Sequence, residues 1–477
     1  MLYLQLPLTV WAGRVTIDIL PDDVLLFIFY FDGMEDVDTI YPFWHRLVHV
    51  CRRWRFVVFC SPNFLDLSLV CNPGTCVELT GIWPPLPIII KNTYYWPMID
   101  FDLAIVHRGR VREIDLSLSS NWPLELKRLA SAMEEPFPAL KHLEIESTFY
   151  RHPAPTLPDE FLGESAPHLQ FLKLHFVAFP ALPKLLLSLT DLVHLTLLNI
   201  PRSGYFSPGE IVTGLAALVN LKSLIIQFPS SRSRPDRERR HLPPPIRTAL
   251  PSLTYFEFEG DAEYLEGLVA QIDALLLDSV CITIFYGQIT EFSQLGEFMR
   301  RTGRFQALNE AHVDFDPEGV LVTSLSLTQT VDEKSGFRIL NEFSEPSGEL
   351  SSMIPVLTSF LSSICIVEHL YIYGPDDLLP LWKDDVEGVQ WPEIFLPFTV
   401  AKNLYLSKEI AQFIAPALRE LVKESVRNVL PALENIFLEE LEPSRPVQDA
   451  IGQFIAARQL LDHPVNVSQW NRTRETF

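Results

Sequence analysis

The chain has 477 residues, 48% hydrophobic and 11% aromatic, with 38 Lys and Arg against 60 Asp and Glu for a formal charge of −22. That apolar content excludes wholesale disorder, and the acidic balance excludes a general nucleic-acid or anionic-membrane binder, whose surface needs clustered Lys and Arg to offset phosphate charge. Cys51, Cys60, Cys71, Cys76, Cys281 and Cys365 are too few and too irregularly spaced for a disulfide framework. With no apolar run near the ~18 to 20 residues of a membrane span, the expected setting is a reducing one, cytoplasm or nucleus.

Residues 1–17 read as an N-terminal extension, apolar but lacking the basic start and small-residue cleavage pattern of a secretory signal. The sequons at Asn466 and Asn471 are therefore read as chance matches. Leu20-Pro21-Asp22-Asp23 predicts a helix start, with proline in the first turn and carboxylates against the positive end of the helix dipole. The following Val24 to Phe31 is apolar all round, which predicts a helix with partners on both sides. A second helix is expected over Trp44 to Cys60, stopped by Ser61-Pro62 and joined to the first by the acidic linker Asp32 to Thr39. So small a unit has a marginal core, and its surplus apolar surface points to association.

Leu20-Pro21-Asp22-Asp23-Val24-Leu25, Ile28-Phe29, Val50-Cys51-Arg52-Arg53-Trp54-Arg55 and Ser61-Pro62-Asn63-Phe64-Leu65-Asp66-Leu67 occur in that order over residues 18–69. This series resembles the F-box motif. With the Trp83-Pro84-Pro85 to Ile90 segment and the layout beyond it, the chain is similar to an expanded group of basidiomycete fungal F-box proteins. The resemblance implies docking onto a Skp-type adaptor, which joins an F-box protein to a cullin scaffold in an SCF ubiquitin ligase. By matched position it implies that Leu20, Pro21, Val24, Leu25, Ile28, Val50, Cys51 and Trp54 form or support the docking surface. The middle of the motif, Phe31 to Trp44, departs from the usual leucine-bearing pattern in being acidic and aromatic.

After a connector with a first strand at 70–110, the pattern L-x-x-L-x-L recurs from Val111 onward. Units start at Val111, Leu140, Leu169, Leu192, Leu221, Leu253, Leu277, Leu308, Val367, Ala401 and Leu433, mostly 23 to 34 residues apart with one gap of 59. A drifting but persistent period of this size predicts an irregular leucine-rich-repeat-like α/β solenoid over 111–445. Each unit's strand buries its inward residues only by stacking on its neighbours. Val322, Leu325, Leu327 and Phe337 to Leu340 suggest extra strands in an irregular sheet region near 310–345. The arginine-rich Ser230 to Pro245 reads as a solvated loop between repeats, and 446–477 as a C-terminal helix and tail.

In each unit the residue between the last two apolar positions points away from the core, because side chains alternate along a strand. That position holds Asp115, Glu144, Lys173, Thr196, Ile225, Glu257 and Cys281, then Tyr371, Tyr405 and Phe437. The last three predict an aromatic ladder for binding a protein target, with Asp376, Asp377, Asp384, Asp385, Glu387, Glu439, Glu440 and Glu442 as acidic neighbours. Burial of the ladder under the C-terminal helices, Val447 to Leu461 included, is the competing expectation.

No Gly-rich Lys loop, H-E-x-x-H or G-x-S-x-G occurs, and Cys71-x4-Cys76 lacks a second ligand pair, so no catalytic, cofactor or metal residue is assigned. His142, His168, His175, His194 and His369 read as strand or turn residues. The expectation is a non-catalytic substrate-recognition adaptor, other subunits of such a ligase transferring the ubiquitin. The alternative is a leucine-rich-repeat scaffold or binding protein acting outside ubiquitination.

Overall fold

The computed structural model describes residues 17–34, 43–62, 64–71, 85–91, 106–118, 126, 130–131, 133–147, 154–230, 247–285, 292–302, 309–316, 319–325, 336–340, 358, 367–374, 391–424, 429–439 and 445–471. The acidic linker from residue 35 on, nearly all of the arginine-rich loop, Cys76, Trp83, Leu327 and every acidic neighbour of the ladder except Glu439 lie outside them, whereas the linker's expected first residues, Asp32 to Met34, are helical. Two compact units emerge, Met1–Asp115 and Leu116–Phe477.

The first unit opens with α1 (Asp22–Met34), whose first hydrogen bond runs from Leu25 N to the Pro21 carbonyl. The expected single second helix is two, α2 (Trp44–Val50) and α3 (Arg52–Cys60). Cys51 breaks it: its backbone is extended (φ −156°, ψ 172°), and its Sγ accepts from Trp54 N at 3.4 Å as the N-cap of α3. Arg55 Nε then donates to the Val48 carbonyl near the end of α2, at 3.0 Å. Arg53 ties α3 to the start of α1, donating to Asp22 Oδ1 and to the Leu20 carbonyl.

Leu25, Phe29, Trp44, Leu47, Val48, Val57 and Val58 are the buried apolar residues of these helices. Trp54 lies against Phe29 at 4.7 Å, and Trp44 Nε1 donates to the Ser68 carbonyl. The unit also holds β1 (Leu69–Cys71) and β2 (Ile88–Lys91), paired in parallel from Leu69↔Ile88. Parallel pairing thus begins earlier than expected, inside the stretch read as connector. β2 pairs in turn with β3 (Val111–Leu118), along which the chain leaves this unit at Asp115.

In the second unit β4 (His142–Ser147), β5 (Phe171–His175), β6 (His194–Leu198), β7 (Ser223–Gln227), β9 (Tyr255–Gly260) and β11 (Ser279–Phe285) form a parallel ladder. A small side pair, β8 (Thr248–Ala249) with β10 (Ile272–Asp273), accompanies it. Two core rows cross the strands residue for residue: Leu143, Leu172, Leu195, Leu224, Phe256, Val280, and Ile145, Leu174, Leu197, Ile226, Phe258, Ile282. All twelve are buried, each contributing about 1.5–3 kcal/mol relative to exposure.

A recurring backbone clasp sets the register. The Lys141 carbonyl accepts from both Gln170 N and Phe171 N, Gln170 O from Val193 N and His194 N, and Val193 O from Lys222 N and Ser223 N. Lys222 O and Thr254 O repeat the pattern toward the next strands. Because main-chain groups make this clasp, the residue beside it is free to vary.

Helices alternate with the strands: α4 (Leu182–Leu186), α5 (Pro208–Leu215), α6 (Ala262–Val269) and α7 (Ser293–Arg301). α5 starts with a capping box between Ser207 and Glu210, and Asp261 caps α6. Glu266 of α6 reaches the next repeat, accepting from Gln294 N and Leu295 N at 2.9 and 2.8 Å and so satisfying orphan donors at the start of α7.

The 59-residue gap holds a change of direction. β12 (Glu310–Asp316) turns into the antiparallel β13 (Gly319–Leu325), which pairs antiparallel with β14 (Gly336–Leu340). β14 lies parallel to β11 and β12 parallel to β15 (His369–Tyr373), so the spatial order is β11, β14, β13, β12, β15. Three strands thus bridge one long unit. The parallel ladder resumes through β16 (Asn403–Leu406) and β17 (Asn435–Leu438) to β18 (Asn466–Gln469). α8 (Trp391–Phe395), α9 (Lys408–Glu424) and α10 (Arg445–Leu460) join these strands, and α10 packs on α9.

Candidate functional site: the outward face of the strand ladder

The outward row is continuous in register across the second unit. It runs Glu144, Lys173, Thr196, Ile225, Glu257, Cys281, then through the backbone of Gly336 and Thr323 to His312, Tyr371, Tyr405, Phe437 and Ser468. Its two halves differ in chemistry.

The first half is internally compensated. Lys173 Nζ meets Glu144 at 2.6 Å, His175 Nδ1 lies 2.9 Å from Glu146, and Asn199 Nδ2 lies 2.9 Å from His175 Nε2. Glu257 accepts from Gln227 Nε2 and from the Tyr255 hydroxyl. Burial first, then that bond to a carboxylate, holds the Tyr255 phenol well above its ordinary pKa. His142 stacks on Phe171 at 4.2 Å, and His168 pairs with Asp191 at 3.0 Å. Groups already paired with one another have little left for a partner.

The second half is a column of rings, one per strand. His312 stacks on Tyr371 at 4.4 Å and 4°, Tyr371 on Tyr405 at 4.1 Å and 12°, and Tyr405 on Phe437 at 4.5 Å and 8°. Parallel in-register strands ~4.8 Å apart dictate this stacking once aromatics occupy one position. The four rings are half-buried. Burial, followed by nearby Tyr405 and Glu310, pushes the Tyr371 phenol well above its usual range, and burial raises Tyr405 too. Burial likewise lowers the His312 imidazole, against the raising pull of Glu310, while its Nδ1 lies 3.0 Å from the Tyr373 hydroxyl.

Beside the rings runs an amide column. Asn435 Nδ2 donates to Asn403 Oδ1 at 2.8 Å and Asn466 Nδ2 to Asn435 Oδ1 at 3.3 Å, with His369 Nδ1 3.3 Å from Asn403 Nδ2.

The structure thus brings Tyr371, Tyr405 and Phe437 together. Trp470, just beyond β18, lies against Tyr371 and Tyr405. Sequence reasoning missed two members. His312 occupies the expected outward position of the Leu308-Ala311-Val313 unit and was readable there. Trp470 follows a strand with no L-x-x-L-x-L signal, and nothing in the pattern marked it.

In the first unit the positions singled out for adaptor docking divide. Pro21, Val24, Ile28 and Val50 are exposed, and Leu20, Cys51 and Trp54 are partly so. Leu25 is 0% exposed and belongs to the core, so it can support a docking surface but not form one. Val24, Phe27, Ile28 and Phe31, spaced i, i+3, i+4, i+7, make an exposed apolar stripe on α1. Tyr30 and Phe27 lean on Phe64, at 5.2 and 5.6 Å.

No known family model matches the chain, and no curated protein is similar to it. Two solved structures share a low overlap with it. One is the leucine-rich repeat-containing protein LegL7 from Legionella pneumophila, at 14% identity over 81% of this chain and 97% of that one, with a TM-score of 0.25. The other is an internalin from Listeria monocytogenes, at 12% identity over 77% and 83%, with a TM-score of 0.23. Overlaps of that size carry no inference about function. The repeat character rests on the chain's own register and clasp.

Among the described residues no three His, Cys, Asp or Glu side chains gather as a metal site, and no helix is long and apolar enough to cross a membrane.

Proposed function

We propose that this chain is a substrate-recognition subunit of an SCF-type ubiquitin ligase. The first unit docks a Skp-type adaptor, and through it a cullin; the ladder of the second unit holds a protein target. The observation that carries the adaptor half is the stripe Val24, Phe27, Ile28 and Phe31, apolar and exposed on a helix whose Leu25 and Phe29 already fill the core. A helix with a committed inner face and a second apolar face is suited to a protein groove. The resemblance of residues 18–69 to the F-box supplies the class of partner.

The target half rests on the column His312, Tyr371, Tyr405 and Phe437, since aromatic rings supply large contact area at low entropic cost and dominate recognition surfaces. The chain contributes position: it raises the effective concentration of target lysines near a conjugating enzyme and supplies no reacting group, in the cytoplasm or nucleus.

Calorimetry of the purified full chain with a purified Skp-type adaptor tests the reading. The native chain binds, and Ile28→Asp with Phe31→Asp, both at exposed sites, weakens binding by at least about 100-fold, roughly 2.7 kcal/mol. A native chain that does not bind leaves the second reading, a repeat scaffold working outside ubiquitination through the same ladder.

A further inference from the structure

The ladder's stacking limits what can sit on it. The two inner rings, Tyr371 and Tyr405, have both faces taken by ring neighbours at 4.1 to 4.5 Å, so the middle of the column presents ring rims to solvent. Rims are the positive edge of the aromatic quadrupole, whereas a lysine or arginine needs a ring face. The phenols are engaged as well, Tyr373 with His312 and Tyr405 with His369 at 3.4 Å. The group this surface suits is another π face laid across several rims at once.

Trp470 is such a group. Its ring lies 5.6 Å from Tyr405 at 77°, 6.0 Å from Tyr371 at 65° and 6.1 Å from Tyr373 at 57°. Its Nε1 donates to the Leu406 carbonyl at 3.2 Å, where β16 ends. It is carried by the last strand, β18, which pairs with β17 on one side and has no strand on the other among the described residues. All four residues of β18 are exposed, unlike the alternating burial of β15, β16 and β17. The indole therefore occupies the ladder from its least enclosed element.

We infer that Trp470 fills in cis a seat for an aromatic side chain on the Tyr371–Tyr405 rims, and that a protein partner engages the ladder by replacing it with a tryptophan on an extended segment. This deepens, and rests on, the reading of the ladder as the target surface.

The test uses the full chain and a labelled peptide copying residues 464–471. By fluorescence anisotropy the Trp470→Ala chain binds this peptide at least about tenfold more tightly than the native chain, while the same peptide with Trp470→Ala binds neither. Trp470→Leu, which keeps apolar bulk without the π face, behaves as Trp470→Ala and covers the case in which alanine unsettles β18. Equal binding by native and variant chains, or equal binding of both peptides to the variant, overturns the inference. Protein capture by a Tyr405→Ala chain separates the two levels. If that variant loses captured proteins while the peptide fails, the target surface stands and the seat for tryptophan falls; if it loses none, both fall.

Discussion

His312 shows how one residue's environment becomes a measurable property. Stacked on Tyr371 and half-buried, its imidazole is held below the ordinary histidine range, desolvation outweighing Glu310. As pH falls through that range, the unfolded chain takes up a proton that the folded ring refuses, so stability declines until the lowered folded value is reached. His312→Phe keeps the stack and is expected to flatten this acid slope in urea titrations between pH 7 and 5. Tyr371 shifts the opposite way: burial keeps its phenol neutral at high pH, so Tyr371→Phe removes a late-ionising group from the alkaline absorbance titration and leaves the early ones. The ladder was legible because strand alternation fixes which residues face outward, and Tyr371, Tyr405 and Phe437 fall on that position. His312 obeys the same rule in the Leu308-Ala311-Val313 unit and was legible on the same ground. Trp470 had no local pattern to betray it, since its role depends on a contact reaching back 65 residues to Tyr405.

At the level of elements, α1 carries two apolar faces with different fates. Leu25→Ala empties a fully buried site and is expected to lower unfolding free energy by about 2–5 kcal/mol, whereas Ile28→Ala is expected to stay within about 1 kcal/mol, measured by denaturant unfolding. Sequence reading recognised that α1 is apolar all round but could not assign the faces, because Leu25 and Ile28 are chemically alike and only the fold, which buries one and exposes the other, distinguishes them. The break at Cys51 escaped for a related reason: the apolar stripe runs straight through it, and the capping sulfur shows only in the backbone geometry. Between repeats, Gly214 of α5 allows close approach to α4. A Cβ there would lie 2.7 Å from the Pro183 carbonyl and 3.0 Å from Leu186 Cβ. Gly214→Ala should therefore destabilise by about 1–3 kcal/mol despite alanine's better helix propensity, seen as a lowered midpoint of thermal unfolding.

The whole molecule divides into a helical unit with two short strands and a ladder unit, each with its own outward apolar or aromatic feature. The repeat was legible as spacing because leucines recur wherever a strand faces the core. The excursion through β12, β13 and β14 was foreseen only as extra strands, since strand direction is set by pairing partners that spacing does not encode. Degeneracy of the repeats follows from the clasp: main-chain carbonyls such as Lys141 O and Lys402 O, each accepting two N–H groups, repeat the bonding without repeating the side chain. On the proposed function the two units serve separate partners. Quantitative affinity capture with three full chains tests it most directly: native, Ile28→Asp with Phe31→Asp, and Tyr405→Ala, each confirmed folded. The α1 variant is expected to lose the Skp-type adaptor and cullin but keep the remaining captured proteins, and Tyr405→Ala to do the reverse. Joint loss of both groups in either variant, or retention of both in each, would contradict it.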